Sequence, residues 1–214
     1  MVWRITPERG THLAYVFVTL RIVSPAARFT LASEYVAQTD TPTLIGAVQD
    51  VIETTRQAVS ITRIYRDQGL YRVESVDALN DLNVEFVIRA PKTHGIKRVL
   101  SEHDEKTFVT DYELVRKKIP AMRVPVTVVV PHQSRDDDLL CLITNRRRTL
   151  DEALPLAQIY RCRWGIETFY RKIGAFLPRT TSSTFAVRLF YFLFAVTLYN
   201  PLIVCVCCSQ STGG

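Results

Sequence analysis

Three polar side chains, Tyr160, Arg163 and Glu167, share one stripe of the stretch 154–176 when it is wound at about 100° per residue, while Cys162, Ile166, Phe169, Ile173 and Leu177 fill the opposite stripe. The pattern predicts a helix that buries its apolar side and presents a carboxylate beside a phenol hydroxyl and a guanidinium. Carboxylate oxygens are hard ligands suited to Mg2+ or Mn2+, and a guanidinium grips phosphate. Far upstream, Asp67 stands where a predicted strand ends in Arg66-Asp67-Gln68-Gly69. If the two acids converge, a pair of such ions about 4 Å apart would activate the attacking oxygen and stabilise the leaving one in an in-line displacement at phosphorus. That is phosphodiester chemistry on a nucleic acid.

Each of these residues also has a plainer reading. An Asp ahead of Gln-Gly forms turns, and a Glu on a polar helix stripe is commonly solvated. Arg163 and Glu167, four apart, can bridge one another for a few tenths of a kcal/mol, or Arg163 can meet a phosphate while Tyr160 stacks on a base or donates to the DNA backbone. Arg146, Arg147 and Arg148 form the densest positive cluster. It can grip a DNA backbone in a salt-dependent way, or be a solvated loop. His12, His94, His103 and His132 are scattered without partner acids, which disfavours acid–base catalysis by His, and no Gly-rich phosphate loop is present.

The elements that must position these groups follow from periodicity. Residues 14–23 and 28–36 read as antiparallel strands joined at Ser24-Pro25. A helix is expected over 44–58, with Leu44, Ala47, Val48, Val51 and Ile52 on one side. A strand over 60–65, a helix over 73–82 and a strand over 84–88 come next, so the fold class is α/β: a mixed sheet with flanking helices and functional groups at strand ends. Residues 97–112 are charged and irregular, 124–130 β-branched, and 134–138 a polar turn, which together suggest a β-rich insertion. The chain would return to the main sheet over 139–144. Thr149 and Glu152 have capping-box spacing, and Pro155 moves the start of the regular helix toward 154. The expected division is 1–91 for the first part of a core, 92–140 for the insertion, and 141–214 for the rest of the core with an apolar carboxy-terminal helix.

Of 214 residues 47% are hydrophobic, enough for a sizeable core, and 27 Lys and Arg against 21 Asp and Glu give a formal charge of +6, which favours a polyanionic partner. Five cysteines, odd in number and without zinc-site spacing to histidines, point to a reduced, cytoplasmic compartment. Arg4, Glu8 and Arg9 lack the apolar stretch of a signal peptide. The runs 189–199 and 202–208 raise the possibility of a membrane span, but Arg188 and Asn200-Pro201 bound and divide them, so a buried helix is expected and a membrane-anchored protein ranks last.

The string Tyr160-Arg161-Cys162-Arg163-Trp164-Gly165-Ile166-Glu167 resembles the Tyr, Arg, Glu, Lys signature of DDE insertion-sequence transposases, in particular archaeal members with a ribonuclease H-like core. Residues 171–174, 176–181 and 185–194 look like its continuation, so the resemblance spans residues 10 to 200. It implies that Glu167 is the final metal-binding acid and Asp67 the second, with Mg2+ or Mn2+ as cofactor. Tyr160, Arg163, Arg171, Lys172 and the Arg146 to Arg148 cluster would lie on the DNA of the insertion-sequence ends. A second copy or an intact transposase is the implied protein partner, and no small-molecule substrate is expected. Two positions depart from the pattern. The signature's Lys falls at Gly174, so Arg171 or Lys172 would supply that phosphate contact. The family's first catalytic Asp lies on a strand ahead of 14–23, which this chain begins too late to carry, and Asp40 is no substitute. The expectation is therefore an amino-terminally truncated transposase that lacks the first core strand and is inactive as it stands; the alternative is a catalytically dead DNA-binding or inhibitory remnant.

Overall fold

The computed structural model describes residues 3–8, 11–24, 29–37, 40–116, 119–131, 140–178, 180, 182 and 184–211, without side chains at 3–8, 11–14, 119–121 and 202–211. Two compact units divide the chain: residues 60–161 form one, and residues 1–59 with 162–214 form the other.

The chain opens with a β1 (Trp3–Glu8) and β2 (Thr11–Ala14) hairpin that periodicity did not single out. Next come β3 (Phe17–Arg21) and β4 (Thr30–Tyr35), the expected antiparallel pair, running from Phe17 opposite Tyr35 to Arg21 opposite Thr30 with a register shift between Leu20 and Arg21. Pro25 in their expected connection lies outside the described residues. Helix α1 (Thr41–Arg56) begins where Asp40 accepts the backbone N–H of Thr43 at 2.8 Å, with Pro42 in the first turn. Its stripe of Ala47, Val48, Val51 and Ile52 is buried, and the helix packs on β3 and β4.

The second unit is built from β5 (Arg63–Arg66), α2 (Val73–Asp81), β6 (Glu85–Arg89), α3 (His94–Ser101), β7 (Phe108–Arg116), β8 (Ile119–Val130), β9 (Leu142–Thr144) and α4 (Ala153–Arg161). Its five strands form one mixed sheet in the order β5-β6-β9-β8-β7, with β5 and β6 parallel and the other pairs antiparallel. Phe86, Val87 and Ile88 are successive and fully buried, so β6 is covered on both faces. Helix α2 packs on β6, β7 and β8; α4 covers Val87, Val129 and Leu142 with Ala153, Leu156, Ala157 and Tyr160. The turn from α2 into β6 runs through Asn83 at φ 49°, a left-handed position that Asn tolerates. The N–H groups of Asn83 and Val84 there satisfy the carbonyls of Asn80 and Leu79.

Strands β7 and β8 are hydrogen-bonded into the same sheet as β5 and β6, because β8 pairs with β9 along Thr127, Val128 and Val129. The charged stretch after residue 92 also contains α3, whose two buried side chains, Ile96 and Val99, are too few to show against its lysine and arginine. The polar turn expected at 134–138 lies outside the described residues.

The chain re-enters the first unit through a three-residue 3-10 turn, Cys162–Trp164, followed by α5 (Gly165–Ile173) and α6 (Phe185–Ser211). Phe169, Ile173, Phe192, Ala195, Val196 and Tyr199 form the core between these helices, and Phe17 of β3 stacks on Phe192 at 4.1 Å. The helix runs through Pro201, contrary to the division expected there. Although Pro201 cannot donate to the preceding turn, Asn200 beside it is tied to Thr30 by two hydrogen bonds of 3.1 and 2.9 Å. Among the described residues no helix is long and apolar enough to cross a membrane.

Two outcomes test this packing. Asn145 accepts from the Phe86 N–H and donates to Asn80 and the Val84 carbonyl, so Asn145→Ala removes three part-buried hydrogen bonds and is expected to destabilise by roughly 1 to 3 kcal/mol in denaturant unfolding. Cys141 is 2% exposed, and burial pushes its thiol up to about 12. Iodoacetamide at mildly alkaline pH should leave Cys141 unmodified in the native protein and alkylate it after unfolding, read by peptide mapping.

Candidate functional site

Asp67 directly follows β5 and is exposed. Its Oδ1 accepts the Gly69 N–H at 2.6 Å and caps the 3-10 turn Gln68–Leu70, so it does form a turn. Its second carboxylate oxygen has no hydrogen bond among the described residues. The residue before it is held from the other side: the Tyr160 hydroxyl donates to the Arg66 carbonyl at 3.0 Å. The Asp67 backbone is therefore clamped between a buried phenol and its own cap.

That clamp alters the expectation for Tyr160. Its side chain is 3% exposed, packs within the sheet's core and lies 6.4 Å from the Tyr65 ring. No base could stack on it as it stands. The expected common stripe fails because 154–176 is not one helix. A three-residue 3-10 turn, Cys162–Trp164, separates α4 from α5.

Glu167 lies in the first turn of α5, on its exposed side, where the helix dipole favours a negative charge. Arg163 is buried and holds its guanidinium 3.6 Å from the Glu167 carboxylate, so the intramolecular pairing weighed from spacing is the arrangement present. Beneath α5, the Arg21 guanidinium lies 3.4 Å from the centre of the Phe169 ring and donates to the Thr30 hydroxyl at 2.9 Å. The hydroxyls of Thr19 and Tyr170 share a 2.6 Å hydrogen bond. These contacts fix α5 to β3 and β4 and so settle which side of it meets solvent. Arg171 and Lys172 are exposed in its last turn.

The arginine cluster divides. Arg146 and Arg147 are exposed, whereas Arg148 is an internal strut. Its guanidinium bridges Glu85 and Glu152, and Glu85 also takes Arg63. Glu85 sits opposite Arg63 in the β5–β6 register, a partnership visible only once those strands are paired, which is why sequence reading missed it. Thr149 and Glu152 do form the capping box. The Thr149 N–H, followed by Arg148, holds the exposed Glu152 carboxyl below its usual range.

Two exposed carboxylates suit a hard divalent cation, since Mg2+ is commonly bound through one or two carboxylates while keeping several waters. Among the described residues no group of three His, Cys, Asp or Glu side chains gathers as a ready metal cluster. Asp67 and Glu167 belong to different units.

The division of the arginines is testable. Arg148→Ala should lower the melting temperature, and Glu85→Ala should cost roughly 1 to 3 kcal/mol by removing the carboxylate that the partly buried Arg63 and Arg148 share. Arg147→Ala should leave the melting temperature within a degree or so of the parent.

A family model described as a transposase DDE domain matches residues 37–200. None of the curated proteins compared matches the chain.

Proposed function

The chain belongs to the transposase DDE domain family, whose work is DNA cleavage in transposition with divalent metal, and from that premise we propose that Asp67 and Glu167 are its metal-holding acids. The supporting observation is the clamp on Asp67: an exposed carboxylate whose backbone is fixed by Tyr160 on one side and by its own turn on the other. Mg2+ or Mn2+ bound there would supply charge stabilisation at a phosphodiester undergoing in-line displacement. Arg163 orients Glu167 through their ion pair. The exposed cations Arg146, Arg147, Arg171 and Lys172 take DNA phosphates, which makes binding steeply salt-dependent. Tyr160 acts on the site from within the core, as a positioning residue for Asp67.

The substrate is the pair of ends of an insertion sequence of the archaeal type, and the working form is a dimer bridging them or an assembly with an intact relative. We read this chain as a transposase that retains DNA without joining it, and as an inhibitor of an intact relative whose ends it occupies.

Asp67→Asn and Glu167→Gln are each expected to weaken Mn2+ binding, measured by calorimetry, by about tenfold or more, with an unchanged circular dichroism spectrum. Tyr160→Phe keeps the ring, and should lower Mn2+ affinity beyond what its small loss of melting temperature explains. A strand-transfer assay with Mn2+ and the element's own ends should show retention without joining; efficient joining by the isolated chain would refute the inactive reading.

A further inference from the structure

We propose that the outward face of α6 docks a second copy of this chain, antiparallel across a two-fold axis. The inference rests on the reading of the working form as a dimer and names the surface that joins it. Residues 189–214 carry no charged side chain. One side of α6 is core, where Phe192, Ala195, Val196 and Tyr199 pack. At about 100° per residue, Phe190, Leu193, Phe194 and Thr197 lie opposite them, with Leu198 at the flank. Phe190, Leu193, Phe194 and Leu198 are 60%, 41%, 47% and 43% exposed. A helix that is apolar all round is one whose whole girth gets covered, and half of this one stands in water.

The pattern specifies what covers it. With no charge on the stripe, a polyanion or a charged protein face finds no partner there. A bilayer surface matches poorly as well: helices that lie among headgroups pair an apolar face with one rich in Lys and Arg, whereas the other side of α6 is taken up by core. The same stripe on a second copy does match. Ala186, Phe190, Leu193 and Thr197 are spaced four, three and four apart, the repeat of paired helices. Laid antiparallel about a two-fold midway between Leu193 and Phe194, the large Phe190 of each copy meets the small Thr197 of the other, and Leu193 meets Phe194. A parallel pair would set Phe190 against Phe190. Thr197 lies low on the helix, donating its hydroxyl to the Leu193 carbonyl at 2.9 Å, while the Phe190 and Phe194 rings stack 5.8 Å apart as one plate. The four exposed apolar side chains present roughly 400 Å², as large as the greatest patch on most monomers. Two copies, with the rims of the stripe, remove about 1,000 Å² from water, the lower bound for a specific interface and the range of a weak, reversible dimer.

Sedimentation equilibrium of the full chain, without DNA or metal, should show a reversible dimer over about 1 to 100 μM. Leu193→Lys and Phe194→Glu should each weaken it about tenfold or more, with an unchanged circular dichroism spectrum, because both side chains face solvent in the single copy. Mixing the two variants should restore dimers, since position 193 of one copy faces position 194 of the other and the new charges are opposite. Leu150→Glu, at an exposed apolar side chain outside α6, should leave the dimer intact. A parent that stays monomeric throughout, or two monomeric variants that fail to recover when mixed, would overturn the docking surface. Dimers that survive both substitutions remove α6 from the interface and leave the dimeric reading standing. A parent monomeric alone yet able to hold two differently labelled DNA ends in one complex likewise sinks the surface and spares that reading; one monomeric in both assays loses both. Flotation of the parent with phosphatidylcholine vesicles, lost in Phe194→Glu, would assign the face to lipid instead.

Discussion

A single hydrogen bond, from the buried hydroxyl of Tyr160 to the carbonyl of Arg66, links the packing of the sheet unit to its candidate chemistry. A strand end is where the ladder stops and the backbone gains freedom, so an acid just beyond it needs another restraint to hold a set position. Here the restraint is a phenol whose ring is part of the core with Val87, Val129 and Leu142. The direction of Asp67 is thus inherited from helix-on-sheet packing. The metal-holding role proposed for Asp67 depends on that inheritance, and the role proposed for Tyr160 is to position it from within the core.

The helical unit solves the matching problem for Glu167 by different means. Its anchor is a buried guanidinium, Arg21, laid over Phe169 and hydrogen-bonded to Thr30. A desolvated cation is costly unless compensated, and an aromatic face contributes about 2 kcal/mol when water is excluded. Because Arg21 and Thr30 are a cross-strand pair, the hairpin is adapted to one aromatic side chain of α5. Rotation of that helix would break the stack and bury Glu167 or Lys172. Both units therefore present their candidate residues from the exposed side of an element whose hidden side is tightly specified.

Much of this was legible in residue order. Alternation marked β3 and β4, helical spacing marked α1 and α2, and Thr149 with Glu152 marked a cap that is present. These signals are local and repeat several times within one element. What escaped was either short or long-range. Helix α3 buries two side chains. The 3-10 turn at Cys162–Trp164 occupies three residues, too few to disturb a periodicity judged over twenty, yet it moved Tyr160 from the expected polar stripe into the core. Arg148 belongs to a run of three arginines that looks uniformly solvated. Its carboxylate partner Glu85 lies 63 positions away, on a strand whose neighbours composition does not reveal. Local order thus disclosed much of the scaffold, but not which cations are already occupied.

The helical unit is interrupted in sequence: its halves, 1–59 and 162–214, flank the whole of the sheet unit. On the ribosome, Phe17 emerges long before Phe192, the ring it stacks upon. At roughly 5 to 20 residues per second, the 174 residues between them take about 9 to 35 seconds to make. Throughout that interval the early hairpin and α1 lack the helices that complete their hydrophobic core, while the contiguous sheet unit can collapse as it appears. Nascent-chain quality control would therefore bear most heavily on the first sixty residues, and the protein's yield in a cell would track how well they are shielded until α6 leaves the exit tunnel.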